Sequence, residues 1–450
     1  MGIPTVSAAL MNRSIPMFRS RPAGFTLLEI MVALTLGMLL SIGIVSLFGS
    51  TSRTNRLQNG LARLQENGRF AVGKLESDLR MTAAQYCSNM AGAGIKGVVP
   101  VLPVRAPLVL TDNLNVADPG PGAGDTSVSV MKSLDAAGYP TSVVATGSYN
   151  LSPRYFVQGY ACTGATCAPA GLPTGLPVAG TNAGQRVEGS DVLTIRYSRG
   201  SGWPFVTSAG SCVSGATLQL NRQTGDDTPN FIAGQQLALV TDCVNSSVLP
   251  VSAFAGNTVT LGNLMPGATA TCSNSGTRDM RVFNFSKDFV TVTYFLALRE
   301  DLDPDARPNS PTAAKRVIPV LIRRENGFDQ ELVQGVDQLA FRYGVQDSTG
   351  KTNFLTADQV EAGAVACSDP PDGVVNEPGC LWRSVRTIEA HLLVNTVSEI
   401  MNLDEVSRQY HFLDTPHATT DATALPSALR AGSMLRREFI AHISNRNFNF

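Results

Sequence analysis

Charge is scarce and evenly balanced in this sequence. Charged residues make up 16% of the chain, a low share for a cytosolic enzyme, and 35 basic side chains against 36 acidic ones leave a net charge of −1. This balance gives nucleic acids and anionic surfaces no electrostatic attraction. We therefore expect no direct binding of nucleic acid.

Sequence motifs for catalysis are also missing. The four histidines form no H-E-x-x-H pair, no serine lies in G-x-S-x-G, and no two cysteines form C-x-x-C. These patterns place metal ligands, a nucleophile or a redox pair at the spacing that their chemistry needs. Their absence predicts a protein that is not an enzyme and that uses no cofactor.

Cysteine is absent from the first 86 positions, and all eight cysteines follow. An even number beyond that point fits an oxidising compartment and up to four disulfides. Two short separations favour particular pairs, Cys162 with Cys167 and Cys367 with Cys380. The sequence leaves open how the other four pair, namely Cys87, Cys212, Cys243 and Cys272.

A long apolar stretch near the N-terminus is the most distinctive feature that is present. Residues 25–48 contain one charged side chain, that of Glu29, and no proline. A helix over this stretch would be ~36 Å long, which is enough to cross a hydrocarbon core of ~30 Å. The preceding residues include three arginines and no acidic side chain. They are therefore expected to stay in the cytoplasm while the rest of the chain is exported.

Two details distinguish this stretch from a secretory signal peptide or a simple anchor. A signal peptide has its small-residue cleavage site after the apolar region, whereas Gly24 lies before it. Glu29 would lie inside the bilayer at a cost of ~2.5–3.5 kcal/mol, which makes it a candidate functional residue in need of a partner. The alternative is that its side chain reaches back to the membrane interface.

Residues Gly24 to Glu29, GFTLLE, resemble the G-F-T-L-x-E signature of type IV prepilins and type II secretion pseudopilins. The resemblance implies that a prepilin peptidase cuts after Gly24 and that Phe25 becomes the N-methylated first residue. It also implies that Glu29 helps to recruit the subunit by pairing with a neighbour's N-terminal amine. The implied partners are this peptidase, other minor and major pilins and the inner-membrane assembly platform, with a tip adhesin as a further candidate. The implied location is the inner membrane, with a periplasmic head, before assembly and the pilus afterwards.

The helix is predicted to continue out of the membrane and to end near Tyr86 and Cys87. Charged residues recur from Arg53 to Asp78 at positions outside an apolar stripe, which is the pattern of a helix that packs one face on a globular head. The predicted helix has ~55 residues. The stripe consists of Leu57, Leu61, Leu64, Gly68, Val72, Leu75 and Leu79.

Strand patterns become regular from Asp191 onwards, without helical patterns between them, and this predicts a mostly antiparallel sheet system. Residues 98–190 are rich in proline, glycine and small polar residues and are interpreted as loops and short strands. The predicted fold is α+β and pilin-like: a long N-terminal helix, transmembrane in its first half, packed on a mostly antiparallel β head with an inserted loop-rich lobe. The predicted parts are a leader (1–24), a transmembrane half-helix (25–48), an amphipathic half-helix (49–86), a loop-rich variable lobe (87–190) and a β-rich head (191–450).

Four segments also resemble the large minor pilins of the PilW family: residues 189–198, 234–243, 331–345 and 435–447. This resemblance implies a structural minor pilin that helps to prime type IV pilus assembly and lies at or near the pilus tip. Two alternatives stay open. One is a J-class minor pseudopilin of a type II secretion system, and the other is a binding or adhesion subunit at the pilus tip.

One acidic loop is a weak candidate for calcium binding. Between Cys367 and Cys380 the sequence places four carboxylate or amide side chains, but their spacing does not match an EF-hand loop, and the adjacent Pro370 and Pro371 stiffen it. A disulfide-closed surface loop is the alternative. The acidic turn 301–305 has the same two interpretations. The four candidate ligands are Asp369, Asp372, Asn376 and Glu377.

Overall fold

The computed structural model shows a chain with two compact units, Met1–Arg56 and Leu57–Phe450. In the first unit the described residues form part of one helix, and in the second they form the end of that helix and a β-rich head. The structure describes residues 25–84, 107–111, 149–150, 156–173, 175–207, 211–222, 231, 236–241, 246–267, 270, 272, 280–285, 287–301, 316–367, 380–398, 400, 409–417, 429 and 434–445.

The long helix α1 covers Leu27–Arg80, 54 residues. Among the described residues it is the one helix that is long and apolar enough to cross a membrane, as judged by length and composition. It ends earlier than the sequence predicts, at Arg80. The cause is a turn in which Ala83 adopts a positive φ and its backbone N–H donates to the Arg196 carbonyl. After Arg80 the chain therefore turns out of the helix and hydrogen-bonds to the strand that contains Arg196.

The head is built from short and medium strands together with the short helix α2 (Ala357–Ala362). The first eleven strands are β1 (Leu108–Val109), β2 (Tyr149–Asn150), β3 (Val157–Thr163), β4 (Thr166–Ala168), β5 (Ala179–Gly180), β6 (Arg186–Val187), β7 (Val192–Ser198), β8 (Trp203–Thr207), β9 (Thr217–Leu220), β10 (Gln236–Thr241) and β11 (Ser246–Ala255). The others are β12 (Thr258–Leu261), β13 (Arg281–Asn284), β14 (Phe289–Glu300), β15 (Val317–Glu325), β16 (Phe328–Gln334), β17 (Val336–Gln346), β18 (Thr352–Leu355), β19 (Val385–Asn395), β20 (Tyr410–Phe412), β21 (Thr415–His417) and β22 (Arg436–Ser444).

Two sheets share the main core with the second half of α1. The first runs β16-β15-β14-β7-β3-β4, with β6 paired to β14 and β5 to β6, and the second runs β18-β17-β19-β22. Pairing is antiparallel throughout these sheets except between β5 and β6. The mostly antiparallel β head is thus confirmed.

The third sheet closes on itself. Strands β8 to β13 follow the order β10-β13-β8-β9-β12-β11, and β11 pairs again with β10, so the six form a barrel. This barrel lies in the chain between β7 and β14, which are themselves neighbours in the first sheet. The sequence analysis did not anticipate an insertion at this point.

One strand of the barrel shows how its two faces are used. Leu237 and Leu239 point to the main core, whereas Ala238 and Val240 point to the barrel's own core. This is the two-residue alternation of a strand that is buried on both faces. A disulfide between Cys212 and Cys272 lies in the barrel core.

Candidate processing and assembly site on the long helix

The start of α1 carries a reciprocal pair of contacts between Thr26 and Glu29. The Glu29 carboxylate accepts hydrogen bonds from the Thr26 backbone N–H (3.2 Å) and hydroxyl (3.1 Å), and the Glu29 backbone N–H donates to the Thr26 hydroxyl oxygen (3.2 Å). This is a capping box, and a carboxylate in the first turn is also favoured by the helix dipole. The spacing T-x-x-E before an apolar run is a sequence signal for it, which the sequence analysis overlooked.

The apolar half of the helix exposes its side chains on every face. The large apolar residues between positions 25 and 48 range from 46% exposed at Ile44 to 82% at Phe25. A helix that is apolar all round is stable only in lipid or among other apolar helices. This segment therefore fits a membrane-spanning anchor. Gly24, the predicted cleavage position, lies outside the described residues.

The second half of α1 packs on the head through the predicted stripe. Leu64, Leu75 and Leu79 are at most 1% exposed, while Leu61 is 36% exposed. The ring of Phe439 on β22 lies against Gly68, so closely that a Cβ on this glycine would be 2.4 Å from ring carbons. Glycine at this position therefore lets β22 pack closely against α1.

Asp78 corrects the predicted division between an apolar face and a charged face. It was expected among the outward charges, but it is 4% exposed. Its carboxylate accepts hydrogen bonds from the Tyr294 hydroxyl (2.6 Å) and from Nε of Arg323, and Lys74 lies 3.6 Å away. Burial and the charge of Asp78 raise the pKa of Tyr294. The sequence could not indicate this burial, because the partners are more than 200 positions away.

The network extends from Arg323 to the head surface. Arg323 also donates to Glu325 (2.5 Å), and Glu325 accepts from Arg199 (2.8 Å). Burial would raise the pKa of Glu325, but the hydrogen bonds from the two arginines outweigh it and lower that pKa. Helix α1 is thus tied by charge to β15 in addition to its apolar contacts.

A second carboxylate, that of the half-buried Asp191, connects the two sheets of the main core. Its oxygens accept the backbone N–H groups of Cys162 (2.9 Å) and Phe341 (3.0 Å). Burial raises its pKa to about 6, although these hydrogen bonds and the charge of Arg342 oppose the rise. Asp191 therefore holds β3 next to β17.

A third carboxylate, Asp337, is fully buried at the start of β17. It accepts hydrogen bonds from Arg436 Nε (2.7 Å) and Asn395 Nδ2 (2.7 Å). Burial raises its pKa, and the charge of Arg436 opposes this. The arrangement joins β17, β19 and β22 at one end of their sheet and is suited to structural support, since a buried carboxylate needs partners of this kind.

Disulfides occur both in the β3–β4 hairpin and in the six-stranded barrel. Cys162 and Cys167 are joined by a disulfide, as are Cys212 and Cys272, whose pairing the sequence left open. Cys367 is also disulfide-bonded. The side chain of Cys380, and Cys87 and Cys243 altogether, lie outside the described residues.

The predicted calcium candidates receive no structural support or refutation. Asp369, Asp372, Asn376 and Glu377 lie outside the described residues. Asp301, at the start of the other acidic turn, pairs with Arg316 at 3.3 Å. Within the described part of the chain, no group of three or more histidine, cysteine or acidic side chains could hold a metal ion.

Comparison with protein families gives two matches. The family described as Type IV Pilus-assembly protein W matches residues 310–447, and the Prokaryotic N-terminal methylation motif matches residues 19–45. The second match covers the GFTLLE segment and the start of α1, and the first covers β15 to β22. Of the four segments that resemble PilW in sequence, 331–345 and 435–447 lie inside the matched region. No curated protein and no solved structure matches the chain.

Proposed function

We propose that this PilW-like type IV pilus protein is a structural minor pilin that helps to prime pilus assembly and lies at or near the pilus tip. The observation that carries the proposal is the methylation motif at the start of α1, joined by one helix to a head of the PilW kind. In this role the chain is a structural subunit and not an enzyme. The proposed fold is pilin-like: the helix is the assembly element and it carries the β head.

Maturation would begin at the junction of the basic and apolar segments. A prepilin peptidase cuts between Gly24 and Phe25, and Phe25 is N-methylated. The exposed apolar half of α1 then lies in the inner membrane with the head in the periplasm, and moves into the pilus during assembly. Its apolar side chains, unpartnered within the described residues, would pack there against the helices of other pilins.

Glu29 would act as the charge that aligns the subunit. Its carboxylate accepts two hydrogen bonds from Thr26, the residue that follows Phe25, whose amine cleavage would free. A carboxylate in an apolar environment gains most from a nearby cation. An amine on a neighbouring subunit would satisfy this need and fix the register between helices.

The test separates the charge of Glu29 from its capping role. A capping box accepts glutamine in place of glutamate, so Glu29→Gln keeps the cap and loses the charge. Thr26→Val keeps the charge and removes the two hydrogen bonds that the Thr26 hydroxyl makes. We expect Glu29→Gln and Glu29→Ala to be processed and folded but missing from sheared filaments, and Thr26→Val to be incorporated. Incorporation of Glu29→Gln at the wild-type level would contradict this role. Recovery of the protein only with a secretion pseudopilus would favour the pseudopilin alternative.

A further inference from the structure

A buried arginine lies directly against the Cys162–Cys167 disulfide. Arg186 is 1% exposed, and its two terminal nitrogens lie 3.5 Å from Sγ of Cys162 and 3.3 Å from Sγ of Cys167. One of these nitrogens also donates to the Ser190 carbonyl (3.2 Å). Nε has no hydrogen-bond partner among the described residues. The guanidinium therefore points its donors at two sulfur atoms.

The charge of this guanidinium has little to balance it while the cysteines are oxidised. A disulfide is neutral, and in the described part of the chain Arg186 forms no ion pair with a carboxylate. The charge of Asp191 favours the charged guanidinium, but burial outweighs this and lowers the pKa of Arg186. A buried charge without a close partner is costly. A thiolate at either sulfur would supply that partner.

We propose that the Cys162–Cys167 disulfide is a thiol-exchange site that accepts a small thiol or a cysteine of another protein. The incoming thiolate attacks Sγ of Cys162 and forms a new S–S bond there. The bond to Cys167 breaks, and its electron pair leaves on Sγ of Cys167, which becomes a thiolate paired with Arg186. A second thiol displaces the first as a disulfide and leaves both protein cysteines reduced. Arginine next to a thiol lowers its pKa and makes it a better leaving group.

The surroundings decide which sulfur leaves. Cys167 has the shorter distance to the guanidinium. Sγ of Cys162 lies 3.7 Å from the carbonyl oxygen of Tyr160, and the backbone of Cys162 is bonded to the Asp191 carboxylate. Negative charge is therefore disfavoured at Cys162 and favoured at Cys167. The incoming thiolate is therefore expected to attack Sγ of Cys162, so that Cys167 leaves as the thiolate.

The exposure of the β3–β4 hairpin and its hydrogen bond to the rest of the head also suit thiol exchange. Both sulfurs belong to half-buried residues in the β3–β4 hairpin, whose turn at Gly164 is exposed, whereas Cys212 and Cys272 are 0% exposed. The hairpin is held independently of the disulfide, because the Gly189 backbone N–H donates to the Gly164 carbonyl (2.8 Å). The site can therefore open without loss of the hairpin. All residues of this site lie in the head, so the proposed exchange does not depend on the role of the protein in the pilus.

The first test uses the full chain in detergent micelles with reduced glutathione as the probe. Mass spectrometry follows the rate at which the mixed disulfide forms, and on which cysteine. We expect it on Cys162, roughly tenfold slower in Arg186→Met and near the wild-type rate in Arg186→Lys, which keeps the charge. An intact Cys212–Cys272 bond is the control for folding. Equal rates in wild type and Arg186→Met, or glutathione on Cys167, would overturn the proposal.

A second test needs no variant. In reduced wild-type protein, the rate of alkylation of Cys167 by iodoacetamide is measured against pH. The paired thiolate predicts a midpoint well below the ~8.5 of a free cysteine. A midpoint at or above that value would contradict the pairing with Arg186.

Discussion

Asp78 on helix α1 and Arg323 on strand β15 form an ion pair whose side chains are only 6% and 5% exposed. Apolar contacts between a helix and a sheet tolerate small rotations and shifts, whereas an ion pair of this kind has one geometry. We infer, as a hypothesis for this protein, that the pair sets the rotation of α1 on the head.

Removal of one partner of this pair should destabilise the head strongly. Asp78→Ala leaves a buried arginine with Glu325 as its remaining acidic partner, and such losses cost about 3–5 kcal/mol. Tyr294→Phe should cost about 1.5–3 kcal/mol, because it removes one hydrogen bond to a charged carboxylate. Glu76→Ala, two positions away in an exposed pair with Arg80, should cost less than about 1 kcal/mol. Urea unfolding of the full chain in micelles measures all three. An Asp78→Ala loss no larger than that of Glu76→Ala would refute the role of the pair.

Two glycines of α1 should respond oppositely to alanine. In Gly68→Ala the new methyl group would lie 2.4 Å from the Phe439 ring, so this ring must leave its place against the helix and the head loses stability. Gly73 has nothing within 4 Å, so Gly73→Ala should gain up to about 1 kcal/mol in helix propensity. Thermal unfolding compares the two variants. Phe439→Leu should partly restore Gly68→Ala, and stabilisation by Gly68→Ala itself would show that the close approach is wrong.

Asp191 should make stability fall as the pH rises through the mildly acidic range. Its pKa is raised by burial to about 6, so the folded state keeps the proton at pH values where the unfolded chain has lost it. The contribution is fully present below about pH 4 and is lost by about pH 6–7, a change of roughly 3 kcal/mol. Asp191→Asn does not titrate. The unfolding free energy of wild type minus that of Asp191→Asn should therefore fall as the pH rises through this window. A difference independent of pH would exclude the raised pKa.

Local patterns in the sequence were sufficient for the long helix and for most core strands. The region from Asp191 onwards, where strand patterns become regular, begins with β7, and Leu193, Ile195 and Tyr197 of this strand lie in the main core. An alternation of apolar residues is a property of neighbouring positions and can be read directly. Strand β16 was missed, because it is mostly exposed and polar and has no such alternation.

The arrangement of the strands was not predictable in the same way. Strands β7 and β14 are neighbours in one sheet although the six-stranded barrel lies between them in the chain. Which strands pair depends on contacts between distant positions, and these leave no periodic signal. The burial of Asp78 and the contact of Arg186 with a disulfide were missed for the same reason. Gly68 was correctly placed on the packed face, since its spacing continues the stripe.

The central claim is tested most directly by the N-terminus of the protein in the cell. Intact mass and N-terminal peptides are measured for the chain from membranes and from sheared surface filaments. The account predicts a mature chain that begins at N-methylated Phe25 and is present at trace level in filaments. A chain that keeps Gly24 and the residues before it, and that is absent from filaments, would contradict the assignment as a pilin.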